Sequence, residues 1–314
     1  MFFKTVRASA LSPGMAANPY CDGNDVVGLP WVCPTAHRPT CILAGVPMPY
    51  WTDKVALITG GSGGLGSALG EAFAAAGAKV VLAARNTERL DSIAAGIRQA
   101  GRGVLAVPAD VTQQADVENL VRRTIDEFGR LDVLVNAAGR SARGQVIDTT
   151  PEEFAELLEL NFIAVVRCVR AAVPHLLKTH GHLVNISSLA GKAAVRYVGA
   201  YPATKFALGA YTQQLRLELS PGGLHVLLVS PGPIARPDAT ERYADQSAGL
   251  PERARKPGAG VKFRAIRPED LSHAILRACE RRRPELVYPP AVRFLLALGA
   301  LSPRLGDWIV RRLT

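Results

Sequence analysis

Residues 59–66 read Thr59-Gly60-Gly61-Ser62-Gly63-Gly64-Leu65-Gly66 and stand between a β-rich run and an alanine-rich helical stretch. Glycines permit a tight turn and let the backbone approach a pyrophosphate, whose charge the N-terminus of the following helix stabilises. A glycine cluster alone says little; a strand before it and a helix after it, within a βαβ unit, make it a dinucleotide-binding turn. The same rhythm continues outward. Short apolar runs at 54–59, 79–84, 103–107, 131–136, 182–187 and 224–229, with a weaker one at 285–288, alternate with amphipathic segments. Runs that are apolar throughout suit strands covered by helices on both faces. The pattern predicts an α/β fold: a doubly wound parallel sheet of about seven strands with right-handed crossovers. One helix announces its start, since Thr150, Pro151, Glu152 and Glu153 supply an N-cap, a proline at N1 and an acid at N3.

The chain has 314 residues, 48% hydrophobic and 20% charged, enough apolar surface for a real core. That length leaves room for two domains or one large α/β domain. No stretch of 18 apolar residues occurs, so a conventional membrane span is not expected. Of the net charge of +10, most lies in residues 251–314, which hold 14 Lys/Arg against 6 Asp/Glu. No zinc-finger spacing, helix-turn-helix signature or aromatic RNP motif accompanies that charge, so nucleic acid is not an expected partner. The five cysteines include Cys21, Cys33 and Cys41 without a close pair, and the six histidines are scattered, so neither a disulfide scaffold nor a metal site is expected. Residues 1–50, rich in Pro, Gly and small residues, read as an irregular tail; a targeting segment and a true start at Met48 are the other readings. Without a secretory signature the chain is expected in the cytoplasm.

At the end of the second strand, an acid would hold the ribose hydroxyls of NAD, whereas an arginine suits the extra phosphate of NADP. Here the chain reads Ala83-Ala84-Arg85-Asn86, which favours NADP(H) over NAD(H). Farther on, Tyr201-Pro202-Ala203-Thr204-Lys205 opens a helix, and residues four apart share a face. An ammonium beside a phenol favours the phenolate, so Lys205 is expected to lower the Tyr201 pKa from about 10 toward a useful acid/base range. Ser188 lies at the carboxyl end of a strand, where open α/β sheets bind ligands.

Together these residues resemble the short-chain dehydrogenase/reductase family, over nearly everything from Lys54 to about Pro289. Thr59, Gly60, Gly64 and Gly66 match its TGxxxGxG turn, whose Ser62, Gly63 and Leu65 fall in the same cofactor contact. Asp110-Val111 matches the acid that contacts adenine, and Asn136-Ala137-Ala138-Gly139 matches NNAG with Ala137 in place of the second Asn. Asn161, Ser188, Tyr201 and Lys205 match the catalytic tetrad, and Pro231-Gly232, with Ile234 beyond it, matches the turn beside the nicotinamide. The resemblance implies a Rossmann-type sheet, a homo-oligomer (dimer or tetramer), and hydride transfer between the nicotinamide and a carbonyl or alcohol. Tyr201 would protonate the alkoxide, Ser188 would hold the carbonyl oxygen, Lys205 would bind the ribose, and Asn161 would support a water relay. Arg236 stands where the family often has Thr, and it is expected to contact the cofactor phosphates as a charged fork.

The polar, basic stretch 237–267 falls where the family places its substrate lid. The ending at 291–314, apolar with flanking arginines, resembles the C-terminal extension of membrane-associated members, including hydroxysteroid dehydrogenases. It reads either as a peripheral membrane contact or as packing over the pocket or a partner subunit. The expected activity is an NADP(H)-dependent oxidoreductase acting on a lipophilic ketone, aldehyde or alcohol. Two other readings are a non-catalytic NADP-binding sensor or scaffold of the same fold, and a serine hydrolase suggested by the GxSxG spelling around Ser62, which leaves Tyr201 and Lys205 unexplained.

Overall fold

The computed structural model describes residues 49–236, 243 and 245–314; the expected tail, with Cys21, Cys33 and Cys41, and part of the lid lie outside them. The elements run β1 (Val55–Thr59), α1 (Gly64–Ala75), β2 (Lys79–Ala84), α2 (Thr87–Gln99), β3 (Val104–Pro108), α3 (Gln114–Phe128), β4 (Val133–Asn136), α4 (Pro151–Leu158), a π-helical turn (Glu159–Ile163) and α5 (Ala164–Lys178). They continue through β5 (His182–Ile186), α6 (Tyr201–Leu219), β6 (His225–Pro231), α7 (Glu252–Arg255), α8 (Pro268–Glu280), β7 (Glu285–Tyr288), α9 (Val292–Ala300) and α10 (Pro303–Leu313). The seven strands form one parallel sheet in the order 3-2-1-4-5-6-7, as the apolar runs predict.

Period two along each strand sends alternate side chains to opposite faces. In β1, Ala56 and Ile58 join Leu69, Phe73 and Ile275 from α1 and α8. Val55 and Leu57 join Leu120, Val165 and Leu208 from α3, α5 and α6 on the other face. The strand order reverses between β1 and β4, so the crevice of the sheet opens beyond their carboxyl ends. Thr150 and Glu153 make the expected reciprocal capping box at α4. The helical run Pro151–Lys178 is long and apolar enough to cross a membrane by composition, but here it packs on the sheet through Val165, Val169 and Leu176.

Residues just before β1 pack against the rest of the domain. Trp51 is buried, and its indole N–H donates to Glu280 at 2.7 Å. The Tyr50 hydroxyl lies 2.8 Å from Nε2 of His182, and the Lys54 ammonium sits over the Tyr50 ring. His182 and His225 open β5 and β6, so parallel pairing sets them side by side with their Nδ1 atoms 2.8 Å apart. Nε2 of His225 donates to the Arg283 carbonyl, which leaves its Nδ1 to accept from His182 and leaves Nε2 of His182 to accept from Tyr50. Cys279 completes a buried cluster that the scattered sequence positions did not foreshadow.

That proton-ordered chain works only with both imidazoles neutral. Burial, then the neighbouring His225, Arg282 and Lys54, depress the His182 pKa from 6.5 to about 3, and burial lowers that of His225. Below 6.5 the unfolded chain gains protons that the folded chain refuses, so stability is full above 6.5 and is lost as the pH falls. Urea unfolding between pH 7 and 5 should therefore show a steady decline in stability, and His182→Gln should flatten that decline.

Candidate active site

Thr59 ends β1, and its hydroxyl oxygen accepts the N–H groups of Ala137 and Ala138, both at 3.2 Å, tying β1 to the loop after β4. The glycine turn that follows has no room for side chains at key points. A Cβ on Gly66 would lie 2.1 Å from the Gly60 carbonyl oxygen. One on Gly60, whose φ is +73°, would lie 2.9 Å from the Ala138 nitrogen. The first turn of α1 holds no acid and receives no side-chain cap, so its N–H groups and partial positive charge face the crevice, as an anion requires. The crevice has a volume of about 680 Å³, and its walls include Ser62, Gly63, Leu65, Asp110, Val111 and Gly139.

At the far end of the crevice, β2 delivers Arg85 to the surface, where its guanidinium stands 3.8 Å from Asp110. Partial burial pushes the Asp110 carboxyl up, but hydrogen bonds from the Thr112 N–H and hydroxyl and the charge of Arg85 hold it below the usual carboxylate range. Asn86 caps α2 by accepting the Arg89 N–H. Arg89 joins Arg85 in the same wall; its spacing of four from Arg85 was the signal that sequence reading passed over.

The four tetrad positions converge from separate elements. Asn161 sits in the π-helical turn, fully buried. Its amide donates to the Arg140 carbonyl at 2.9 Å and the Thr204 hydroxyl at 3.1 Å, while its oxygen accepts the Arg140 N–H at 3.0 Å. Lys205, also buried, donates to the Ile186 carbonyl at 2.9 Å and lies 5.8 Å from the Tyr201 ring. Ser188 follows β5; its oxygen accepts the Ala190 N–H, and its hydroxyl hydrogen-bonds Tyr201.

The electrostatics correct one expectation. Burial raises the Tyr201 pKa above 10; the Ser188 hydrogen bond and the charges of Arg143 and Arg236 lower it less than burial raises it. Lys205 is not among the groups that lower it, and burial depresses the Lys205 pKa itself from 10.5 to about 8. Tyr201 is thus held protonated, a proton donor.

The loop after β6 completes the site. Gly232 donates to the Tyr288 carbonyl, and Ile234 bridges to Ile266, which fixes Pro231 and Gly232 beside Ser188 in one cavity wall. Arg236 reaches back over the phosphate turn, its guanidinium 3.3 Å from where a Cβ of Gly64 would stand. At Asn136 the amide donates to Asn185, while its Oδ1 is buried without a partner. The cavity beyond Tyr201 measures about 520 Å³ and is lined chiefly by apolar groups, with α9 and α10 forming one side. Arg143, which the sequence reading missed, ties down the segment after β6: its guanidinium donates to the Ala254 and Lys256 carbonyls and stacks on Tyr243.

Residues 54–247 match the family model described as short chain dehydrogenase. The chain belongs to the short-chain dehydrogenase/reductase family. It is 33% identical to the uncharacterized oxidoreductase YxnA of Bacillus subtilis, over 83% of this chain and 72% of that protein. An uncharacterized oxidoreductase of Staphylococcus epidermidis is 35% identical over 59% of this chain and 80% of its own length. Among solved structures, a short-chain dehydrogenase/reductase from Burkholderia phymatum in complex with NAD superposes with a TM-score of 0.71 at 26% identity, covering 82% of this chain and 96% of that one. An alcohol dehydrogenase from Thermococcus sibiricus complexed with 5-hydroxy-NADP gives 0.63 at 27% identity, covering 74% and 95%. As a member of this family the chain is an oxidoreductase with a nucleotide-cofactor crevice, and the turn geometry fits such a group.

The glycine geometry predicts an asymmetric pair of variants. Gly66→Ala drives a methyl into the Gly60 carbonyl and should lower the melting temperature and abolish nucleotide binding. Gly63→Ala, with nothing within 4 Å of the added carbon, should leave the melting temperature of the ligand-free protein near that of the parent.

Proposed function

We propose that this dehydrogenase/reductase interconverts a lipophilic ketone or aldehyde and its alcohol, using NADP(H) in preference to NAD(H). One observation carries the reading: the apolar cavity at Tyr201 and the dinucleotide crevice share Ala138, Gly139 and Arg236 as a common wall. A carbonyl held in the first would lie next to a nicotinamide held in the second. Bound there, the reduced nicotinamide supplies the hydride. Tyr201 donates its proton to the substrate oxygen, Ser188 hydrogen-bonds the same oxygen, and Lys205 holds the ribose side while anchored on Ile186. Asn161 keeps the Arg140 loop and α6 in register, so that these groups meet the oxygen without reorganisation. An NAD-type site would put an acid where Arg85 stands; here Arg85 and Arg89 offer two guanidinium groups to a ribose phosphate. Arg236, above Gly64, adds a fork for the pyrophosphate.

Tyr201→Phe should reduce turnover by about 10²- to 10⁴-fold while NADPH still quenches or shifts protein fluorescence as in the parent. Full activity in that variant would overturn Tyr201 as the proton donor, and no activity of the parent on a panel of carbonyls would favour the non-catalytic sensor. Arg85→Ala with Arg89→Ala should weaken NADPH far more than NADH, and Arg236→Ala should weaken both. In carbonyl reduction, kcat/KM should fall as pH rises past about 8, where Lys205 loses its charge; Lys205→Arg should move that limb upward.

A further inference from the structure

The α9–α10 hairpin has two faces that do different things. Its inner face lines the cavity through Leu295, Leu296, Gly299, Ile309 and Val310. The two helices touch at glycines: a Cβ on Gly306 would lie 2.9 Å from the Gly299 carbonyl oxygen, so only this pair lets them close into one sheet-like slab. The outer face leaves Phe294 78%, Leu301 76% and Trp308 56% exposed, with Leu298 and Leu305 between them. Within α9, steps of four and three put Phe294, Leu298 and Leu301 on one face, and within α10 a step of three puts Leu305 and Trp308 on one face; all five are exposed and form the apolar stripe of the hairpin.

We propose that this stripe docks the enzyme on an anionic lipid surface, with the hairpin acting at once as membrane contact and as roof of the cavity. Charge complementarity selects this occupant. Between residues 292 and 314 the only acid is Asp307, against four arginines, Arg293, Arg304, Arg311 and Arg312, so the hairpin carries a net positive charge. Arg312 packs its guanidinium over the Trp308 ring at 5.5 Å, an amphipathic pair suited to the headgroup level. A second copy would bring the same net positive charge against this face, whereas phosphate headgroups neutralise it. An apolar ligand could then pass from the acyl layer around the hairpin into the cavity; that last step rests on the function proposed above, but docking does not.

The test uses the full chain in flotation with phosphatidylcholine vesicles and with vesicles also containing phosphatidylglycerol. The parent should float with the anionic vesicles alone, less so at high salt. Phe294→Glu combined with Leu301→Glu, on exposed positions that leave the inner face intact, should lower that partitioning at least about tenfold, given two apolar anchors replaced by acids. Trp308, read as the difference between the parent and Trp308→Phe, should shift to the blue and be quenched by brominated lipid. Equal partitioning of parent and double variant would overturn the proposal, as would a Trp308 signal blind to lipid. So would a double variant that sediments as a smaller species while floating like the parent, since the stripe would then be an interface between copies. Carbonyl reduction in detergent-free buffer is measured in parallel: its absence with flotation intact would fault the enzymatic reading and leave the docking standing.

Discussion

The site is organised by one hydroxyl at the point where the strand order turns back on itself. Thr59 closes β1, and its oxygen takes two N–H groups from the loop after β4. Those groups would otherwise be unpaired donors beside a crevice, at a cost of about 1–3 kcal/mol each if dry. Because they are satisfied from β1, the β4 loop passes close over Gly60, and that proximity is what excludes any side chain there. The phosphate turn and the loop carrying Gly139 are thereby held as one piece, with the cofactor crevice on one flank and Tyr201 on the other.

From this piece the positioning contacts radiate in a short chain. A side chain on Gly139 would meet the Asn161 oxygen at 2.9 Å, and the Asn161 amide reaches both Arg140 and Thr204; Thr204 precedes Lys205, whose ammonium rests on the Ile186 carbonyl. A buried ammonium with a single carbonyl partner is costly, and the depressed pKa of Lys205 measures that cost. Further acceptors beside it, such as ribose hydroxyls, would favour the charged form. The same burial keeps Tyr201 protonated, so desolvation acts on the two groups in opposite senses.

Most of this was legible in the sequence wherever chemistry and backbone share one local motif. The seven strands, the glycine turn and the capped start of α4 follow from short-range pattern, whereas Asn161, Ser188, Tyr201 and Lys205 were picked out together by the family resemblance. What escaped depends on contacts between distant segments. The His182–His225 pair arises from the register of β5 against β6, and Arg143 finds its acceptors more than a hundred residues downstream. The Tyr201 pKa was misjudged for a related reason: spacing locates a neighbouring charge, but the degree of burial that outweighs it is a property of the assembled cavity.

The π-helical turn at Glu159–Ile163 carries a consequence for how such a helix can change. Each residue advances an α-helix by about 100°, so one residue accommodated in a wide turn offsets the phase of everything after it. Upstream, the phase is fixed by Asn161 pointing at Arg140; downstream, by Val165, Val169 and Leu176 on the sheet. A deletion anywhere between them would rotate one set away from its partners, so the segment can drift in composition but is locked in length.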